Sequence, residues 1–394
     1  MKPALRLAID GNEANTQNRV GSNVYAFELL RAMSGQVEAR NIEATVLLSA
    51  NPSEHLPVES VNWHYSVIKP SKYWTQWAAP LYLDQHKADF DIFFTPSHYA
   101  PRGCAIPYVS SVMDTAYVAY PAEFKLKDRM QLTNWTAYSV KHAKKVIAIS
   151  QFTKRCIQQV YGRSAKDIVV AYPGVRVDSE KIAASDKRRY LQEKNITDPF
   201  FLYVGTIQPR KRLSYLIEAF EQLSDQVLQA NSRYRPRKGK APPLPQLVIA
   251  GKVGWLAAPI VARVKQSRFV NNIRMLGYIS HQEKQILLQQ AKALVLIGRH
   301  EGFGIPPLEA MQAGTIPIVA RTGSLTEVVG PAGMLVAADD SLQLVNKMSL
   351  VLSQSARERA TWVAKGHDQV KLFSWENSAD IVLDTLESCL GDTA

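Results

Sequence analysis

The sequence predicts an α/β chain built from two doubly wound parallel-sheet domains. Three observations lead there. Short apolar runs that read as buried strands alternate with helical stretches along nearly the whole chain. The alternation breaks at a polar, charged and poorly periodic stretch, residues 178–198, and begins afresh at Phe200. At 394 residues the chain is long enough for two domains, each with its own core. The boundary is placed between an N-terminal domain, 1–185, and a C-terminal domain, 186–375.

In the first domain residues 5–9 form a strand and 10–18 a polar loop. Arg19-Val20-Gly21-Ser22-Asn23 opens a helix to Met33, with Val24, Phe27, Leu30 and Arg31 at helical spacing. A glycine before the first helix of such a domain commonly faces a phosphate; an ordinary turn is the competing reading. Further strands are expected at 44–48, 92–95, 108–112, 145–149 and 168–171, and a long helix at 126–143. Ser150 caps the helix starting at Gln151. For the cluster Tyr73-Trp74-Thr75-Gln76-Trp77, core packing is favoured over stacking on a sugar or touching a membrane interface. Asp89-Phe90-Asp91 is an acid-x-acid pattern, but it stands immediately before a strand, where acids end the preceding turn, so no metal is assigned.

In the second domain strands are expected at 200–204, 247–250, 273–276, 293–297 and 316–320, and a last helix at 374–390. Residues 230–245, rich in proline and bases, read as a surface loop. The stretch His300-Glu-Gly-Phe-Gly-Ile-Pro-Pro-Leu-Glu-Ala-Met-Gln-Ala-Gly314 follows the apolar run 293–297. Glycines bare the backbone around Phe303, and Pro306 and Pro307 suit a first helical turn. Such a helix N-terminus accepts phosphate, and Glu301 and Glu309 on either side can accept hydrogen bonds from hydroxyls. Phosphate with hydroxyls describes a sugar nucleotide. Lys211 follows a strand end and precedes a helix, where it can neutralise a diphosphate leaving group. Arg210, Arg212 and Lys252 are neighbours that can help, although solvent exposure is the favoured reading for Arg210 and Arg212. Glu309, read as lying in the first helical turn, suits ribose hydroxyls, with dipole stabilisation as the alternative.

Composition excludes several classes. No apolar run approaches the ~18 residues of a membrane span, and the N-terminus reads as a strand rather than a signal peptide. Three dispersed cysteines, Cys104, Cys156 and Cys389, suggest a reducing compartment. The formal net charge is +12, concentrated in two places. Twelve Lys/Arg stand against four Asp/Glu between Lys141 and Arg189, and Arg233, Arg235, Arg237, Lys238 and Lys240 stand against no acid. Solvated faces explain these clusters more simply than nucleic-acid binding does, because no basic helix with base-reading residues stands out. There is no Gly-x-Gly-x-x-Gly after the first strand, no Walker A sequence, no Gly-x-Ser-x-Gly elbow and no metal-spaced histidine pair.

Glu301-Gly-Phe-Gly-Ile-Pro-Pro-Leu-Glu309-Ala resembles the Glu-x7-Glu signature of the retaining GT-B glycosyltransferases of family 4. The resemblance extends over nearly the whole chain. It includes Ile149-Ser150-Gln151-Phe152-Thr153-Lys154, Tyr172-Pro173-Gly174, Gly205-Thr206 through Lys211, Val248-Ile249-Ala250-Gly251-Lys252, Leu276-Gly277-Tyr278 and Thr322-Gly-Ser-Leu-Thr-Glu327-Val328. It implies two Rossmann-like domains facing a central cleft, with a C-terminal helix, 376–394, completing the first. Lys211 would bind the donor diphosphate. Glu301, with the backbone of Phe303 and Gly304, would hold the donor sugar; Ile305 N–H would face a phosphate and Glu309 the ribose. Gly21 would approach the phosphates from the first domain, and Asp114 would lie on the acceptor side. Thr206, Arg210, Lys252 and Tyr278 complete the expected donor set, and Glu301, Lys211 and Asp114 the catalytic one. No metal and no cofactor is implied. Three positions depart from the family pattern: Met113-Asp114 replaces a usual His-Asp, Gly205-Thr206 a usual Gly-Arg, and Ile297-Gly298 a usual Pro-Ser.

The expected activity is retaining transfer of a hexose, mannose from GDP-mannose first, to a hydroxyl of a glycan or lipid-linked glycan in surface polysaccharide or lipopolysaccharide assembly. The expected place is the cytoplasm, at the inner face of the cytoplasmic membrane, touching anionic lipid. The alternatives are a UDP-sugar transferase, a UDP-N-acetylhexosamine epimerase of the same fold, and a catalytically degenerate sugar-nucleotide binder.

Overall fold

The computed structural model describes residues 5–19, 21–176, 182–233 and 243–391. The expected bases Arg235, Arg237, Lys238 and Lys240, together with Val20 and the start of the 178–198 linker, lie outside the described residues.

Two compact units divide the chain: Met1–Arg176 with Phe373–Ala394, and Val177–Leu372. The first unit contains β1 (Leu5–Asp10), α1 (Ser22–Ser34), β2 (Ile42–Leu48), β3 (Trp63–Val67), α2 (Ala79–Gln85), β4 (Ile92–Thr95), β5 (Tyr108–Val112), α3 (Ala116–Ala119), α4 (Leu126–His142), β6 (Lys145–Ala148), α5 (Gln151–Tyr161) and β7 (Ile168–Val170). Its strands form one parallel sheet in the order β3-β2-β1-β4-β5-β6-β7. The central strands β4 and β5 are buried throughout, which is why they read as unbroken apolar or small-residue runs.

The second unit contains α6 (Ala184–Glu193), β8 (Phe200–Val204), α7 (Leu213–Arg233), β9 (Gln246–Ala250), α8 (Ala258–Lys265), β10 (Ile273–Gly277), α9 (His281–Gln290), β11 (Ala293–Leu296), α10 (Ile305–Gln312), β12 (Ile316–Ala320), α11 (Leu325–Val329), β13 (Met334–Val336), α12 (Ser341–Ser353) and α13 (Ala356–Val370). Its parallel sheet runs β10-β9-β8-β11-β12-β13. One core face packs Phe201, Tyr203, Ile249 and Ile318 against α7 and α12 residues such as Leu216, Phe220 and Leu344. The other packs Phe200, Leu202, Val248 and Leu294 against Ile286 and Leu287 of α9.

The last helix, α14 (Trp375–Gly391), belongs to the first unit. Trp375 is buried, with its ring 5.9 Å from that of Tyr25 on α1. Arg40, just beyond α1, reaches Asp384 at 2.6 Å and Asp380 at 2.7 Å.

Two expectations need correction. The 178–198 stretch is not simply a linker: α6 lies within it, and Tyr190 of α6 is buried with Phe200 and Leu202. Tyr190 and the partly buried Leu191, adjacent in sequence on a stretch otherwise mostly polar and charged, are too sparse to show as periodicity. The aromatic cluster is only partly core. Trp74 is buried, but Tyr73 and Trp77 are 59% and 72% exposed, because a π-helical turn at Trp74–Ala78 directs them outward.

Candidate donor-binding site

In the second unit the sheet order places β8 beside β11, while the chain leaves β8 towards β9 and leaves β11 towards β12. The loops after β8 and β11 therefore part, and a crevice opens at the strands' C-terminal ends. Lys211 comes from the first of these loops and Glu301 from the second.

Each is built up locally. Ile207, 1% exposed, pins the β8 loop, and Pro209 starts a short 3₁₀ turn, Pro209–Lys211, that ends in Arg212 at φ 57°. The β11 loop is tied down on both sides. Arg299 N donates to Arg210 O at 2.9 Å, and Arg210 Nη1 donates to His300 O at 3.1 Å. From beyond β12, Thr322 Oγ1 donates to Gly298 O at 2.6 Å, and Ser324 Oγ donates to Glu301 O and Phe303 O at 2.9 and 2.7 Å. The Thr322-Gly-Ser324 segment thus serves as a brace for the signature loop.

Across this crevice Lys211 Nζ donates to both oxygens of Glu301, at 2.6 and 2.7 Å. The two side chains are 12% and 9% exposed, so the pair is shielded from solvent. Gly298 makes room for it: a Cβ there would lie 2.6 Å from Glu301 Oε1. Gly304, at φ 97° and ψ 66°, turns the chain into α10 in the left-handed region that glycine alone adopts readily. Prolines at 306 and 307 carry no N–H, so the groups of Gly304 and Ile305 are the first-turn donors an anion would meet.

Glu309 lies in the second turn of α10, not the first, because the helix begins at Ile305. It is 6% exposed, and Lys284 Nζ donates to its Oε1 at 2.5 Å. Helix-dipole stabilisation therefore does not explain this acid. Lys284 is a site residue that reading the sequence missed. The available signal was the capping box at Ser280 and Glu283, which starts α9 at His281 and so orients its first turn.

The remaining residues fall into groups. Lys252 and Tyr278, from the loops after β9 and β10, meet as a cation–π pair, Nζ 5.0 Å from the ring centre, with Tyr278 44% exposed. Thr206 is half-buried, and its carbonyl accepts from Tyr203 Oη at 3.2 Å. Arg210 and Arg212 are not the solvent-exposed bases expected. Arg210 stitches the two crevice loops, with Nε donating to Gln208 Oε1 at 3.2 Å, and Arg212, 11% exposed in its side chain, pairs with Asp339 at 2.7 Å.

In the first unit Gly21 precedes α1 at φ 52°, with nothing within 4 Å of where a Cβ would stand. Asp114 Oδ1 accepts from Ala116 N at 3.0 Å and starts α3. Met113, in the place of the family's usual histidine, donates its N–H to His98 Nε2 at 3.3 Å. Burial holds the His98 imidazole below its ordinary pKa, against the pull of Asp114. Asp10, at the end of β1, was not singled out in the sequence. Burial pushes its carboxyl up to about 6, although Asn12 donates to it from both its backbone N–H and its side chain. Asp91, from the acid-x-acid pattern, is taken by Arg6 at 2.6 Å, and Asp89 by His86 at 2.8 Å.

Two family models match the chain: "Glycosyltransferase Family 4" over residues 20–179 and "Glycosyl transferases group 1" over residues 186–369. This chain is a GT-B glycosyltransferase of the family 4 type. The glycosyltransferase is 27% identical over 318 residues to the O-antigen chain mannosyltransferase B of Escherichia coli, which covers 79% of this chain and 76% of that one. It is 26% identical over 273 residues to the serotype-specific mannosyltransferase WbdA of Escherichia coli, covering 68% of this chain but 30% of the larger protein. Among solved structures, Anabaena HepE in complex with UDP and glucose superposes with a TM-score of 0.71 at 18% identity, covering 98% of this chain and 100% of that one, which speaks for the fold.

Proposed function

We propose that this glycosyltransferase moves a hexose, mannose from GDP-mannose as first choice, to a hydroxyl of a glycan acceptor in surface polysaccharide or lipopolysaccharide assembly, with retention of configuration and without a metal. The observation that carries the proposal is the contact of Lys211 with Glu301, 90 residues apart in sequence, at the switch point of a parallel sheet. A cation for a diphosphate and an acceptor for sugar hydroxyls stand together where such sheets bind ligands. The mannosyltransferase relatives, one of them an O-antigen chain mannosyltransferase, favour mannose. HepE, solved with UDP and glucose, is the reason to keep a UDP-sugar as the second donor.

In this reading Lys211 neutralises charge developing on the diphosphate as the C1–O bond breaks, aided by the first-turn N–H groups of Gly304 and Ile305. Glu301 accepts from sugar hydroxyls and Glu309 from the ribose. Neither acid is assigned the role of a nucleophile in this route. The acceptor oxygen attacks C1 on the face the diphosphate leaves, and a phosphate oxygen takes the acceptor's proton. Asp114 stands on the acceptor side. The working place is the cytoplasmic side of an anionic membrane, which vesicle sedimentation at low salt checks.

A thermal-shift panel of GDP-, UDP-, ADP- and dTDP-sugars tests the donor; a ligand at a hundred times its Kd stabilises by about 2.7 kcal/mol. Retention is read from the anomeric configuration of the product, and trapping a covalent glycosyl-enzyme would overturn the front-face route.

A further inference from the structure

The residues assigned to two different parts of the donor occupy each other. Lys211 Nζ contacts both Glu301 oxygens, at 2.6 and 2.7 Å, with each side chain no more than 12% exposed. The contact takes two of the three N–H donors of Lys211 and one acceptor site on each Glu301 oxygen, so a diphosphate and the sugar hydroxyls meet groups already largely engaged with each other. Breaking the pair without a replacement would leave a shielded charge uncompensated on each side.

We propose that donor binding is an ion-pair exchange. The diphosphate of a nucleotide sugar takes Lys211 from Glu301, and the released carboxylate then accepts from the hexose hydroxyls. This rests on the assignment of Lys211 to the diphosphate and Glu301 to the sugar. It adds a selection rule. A free hexose brings no anion to draw Lys211 away, so it finds Glu301 occupied. A nucleoside diphosphate brings the anion and must compete with Glu301 for it. The second pair behaves differently. Ribose carries no charge, so Lys284 stays on Glu309 and merely orients it, through the 2.5 Å contact already present.

The two pairs therefore respond oppositely to the same chemical change, which gives the test. Titration calorimetry compares GDP and UDP binding to the wild type, Glu301→Gln and Glu309→Gln. Removing the competing charge in Glu301→Gln tightens nucleoside diphosphate binding by about fivefold or more, while Glu309→Gln weakens it. Mannose alone gives no heat with the wild type. Glu301→Asp, too short for the bidentate contact, shifts binding the same way as Glu301→Gln and serves if the latter unfolds. Equal or weaker nucleoside diphosphate binding by folded Glu301 variants overturns the exchange but leaves the donor assignment standing. Binding of neither GDP nor UDP to any of these proteins overturns both.

Discussion

Lys284 Nζ lies 2.5 Å from Glu309 Oε1, and the two come from successive helices of the second unit, α9 and α10. The carboxylate is 8% exposed and the ammonium 19%, so neither has much water to fall back on. Lys284→Met leaves Glu309 shielded and uncompensated. The expected cost is about 1–3 kcal/mol of stability, with nucleotide affinity falling about tenfold or more. Lys284→Arg keeps the charge and retains most of both. Thermal melts and nucleotide titration of the two variants check this.

Gly298 sets the orientation of the other acid. A methyl group there would press on Glu301 Oε1 at 2.6 Å, inside any normal contact. Gly298→Ala should turn the carboxylate away from Lys211 and lower kcat/KM about tenfold or more, and the melting temperature should fall as well, because the shielded pair loses its contact.

Asp10 makes stability depend on pH. Its folded pKa is raised to about 6 from 3.8, so the folded state holds this proton more tightly than the unfolded chain does. The resulting stability is fully present below about pH 4 and is lost as pH rises through 6. Asp10→Asn removes the titration. Its stability relative to the wild type should therefore rise between pH 4 and 7, by roughly 3 kcal/mol in the limit of this shift. Denaturant midpoints measured across that range decide it; a constant difference would contradict the burial account.

Trp375 anchors the returning helix α14 of the first unit. It is 2% exposed and packs near Tyr25. Trp375→Ala should cost about 3–5 kcal/mol, and Trp375→Phe clearly less, measured as the shift of the first unit's unfolding in denaturant.

Much of the site was legible because its signals are local. Gly304, Pro306 and Pro307 specify a loop turning into a helix within four residues, and the apolar run before them is a buried strand. The departure at Gly298 was visible too, although only the structure shows that it accommodates Glu301 Oε1. Strands β3 and β13 escaped notice. Trp63–Val67 is only half-buried over most of its length, and Met334–Val336 is three residues long, so neither offers a clear run. Arg212 was read as solvent-exposed because charge in a loop ordinarily is; its αL backbone and Asp339 place it otherwise.

The sequence by itself determined the α/β class, the order of most strands, and the pairing of Glu301 and Glu309 within one loop–helix segment. These follow from apolar periodicity and turn chemistry, which are written in windows of about ten residues. Only the tertiary structure decided the partners: Lys211 for Glu301, Lys284 for Glu309, His98 for the Met113 backbone, Arg6 for Asp91. Such pairs are set by which strands lie side by side and where their loops diverge. A charge in the sequence carries no record of the opposite charge that sheet order will bring to it.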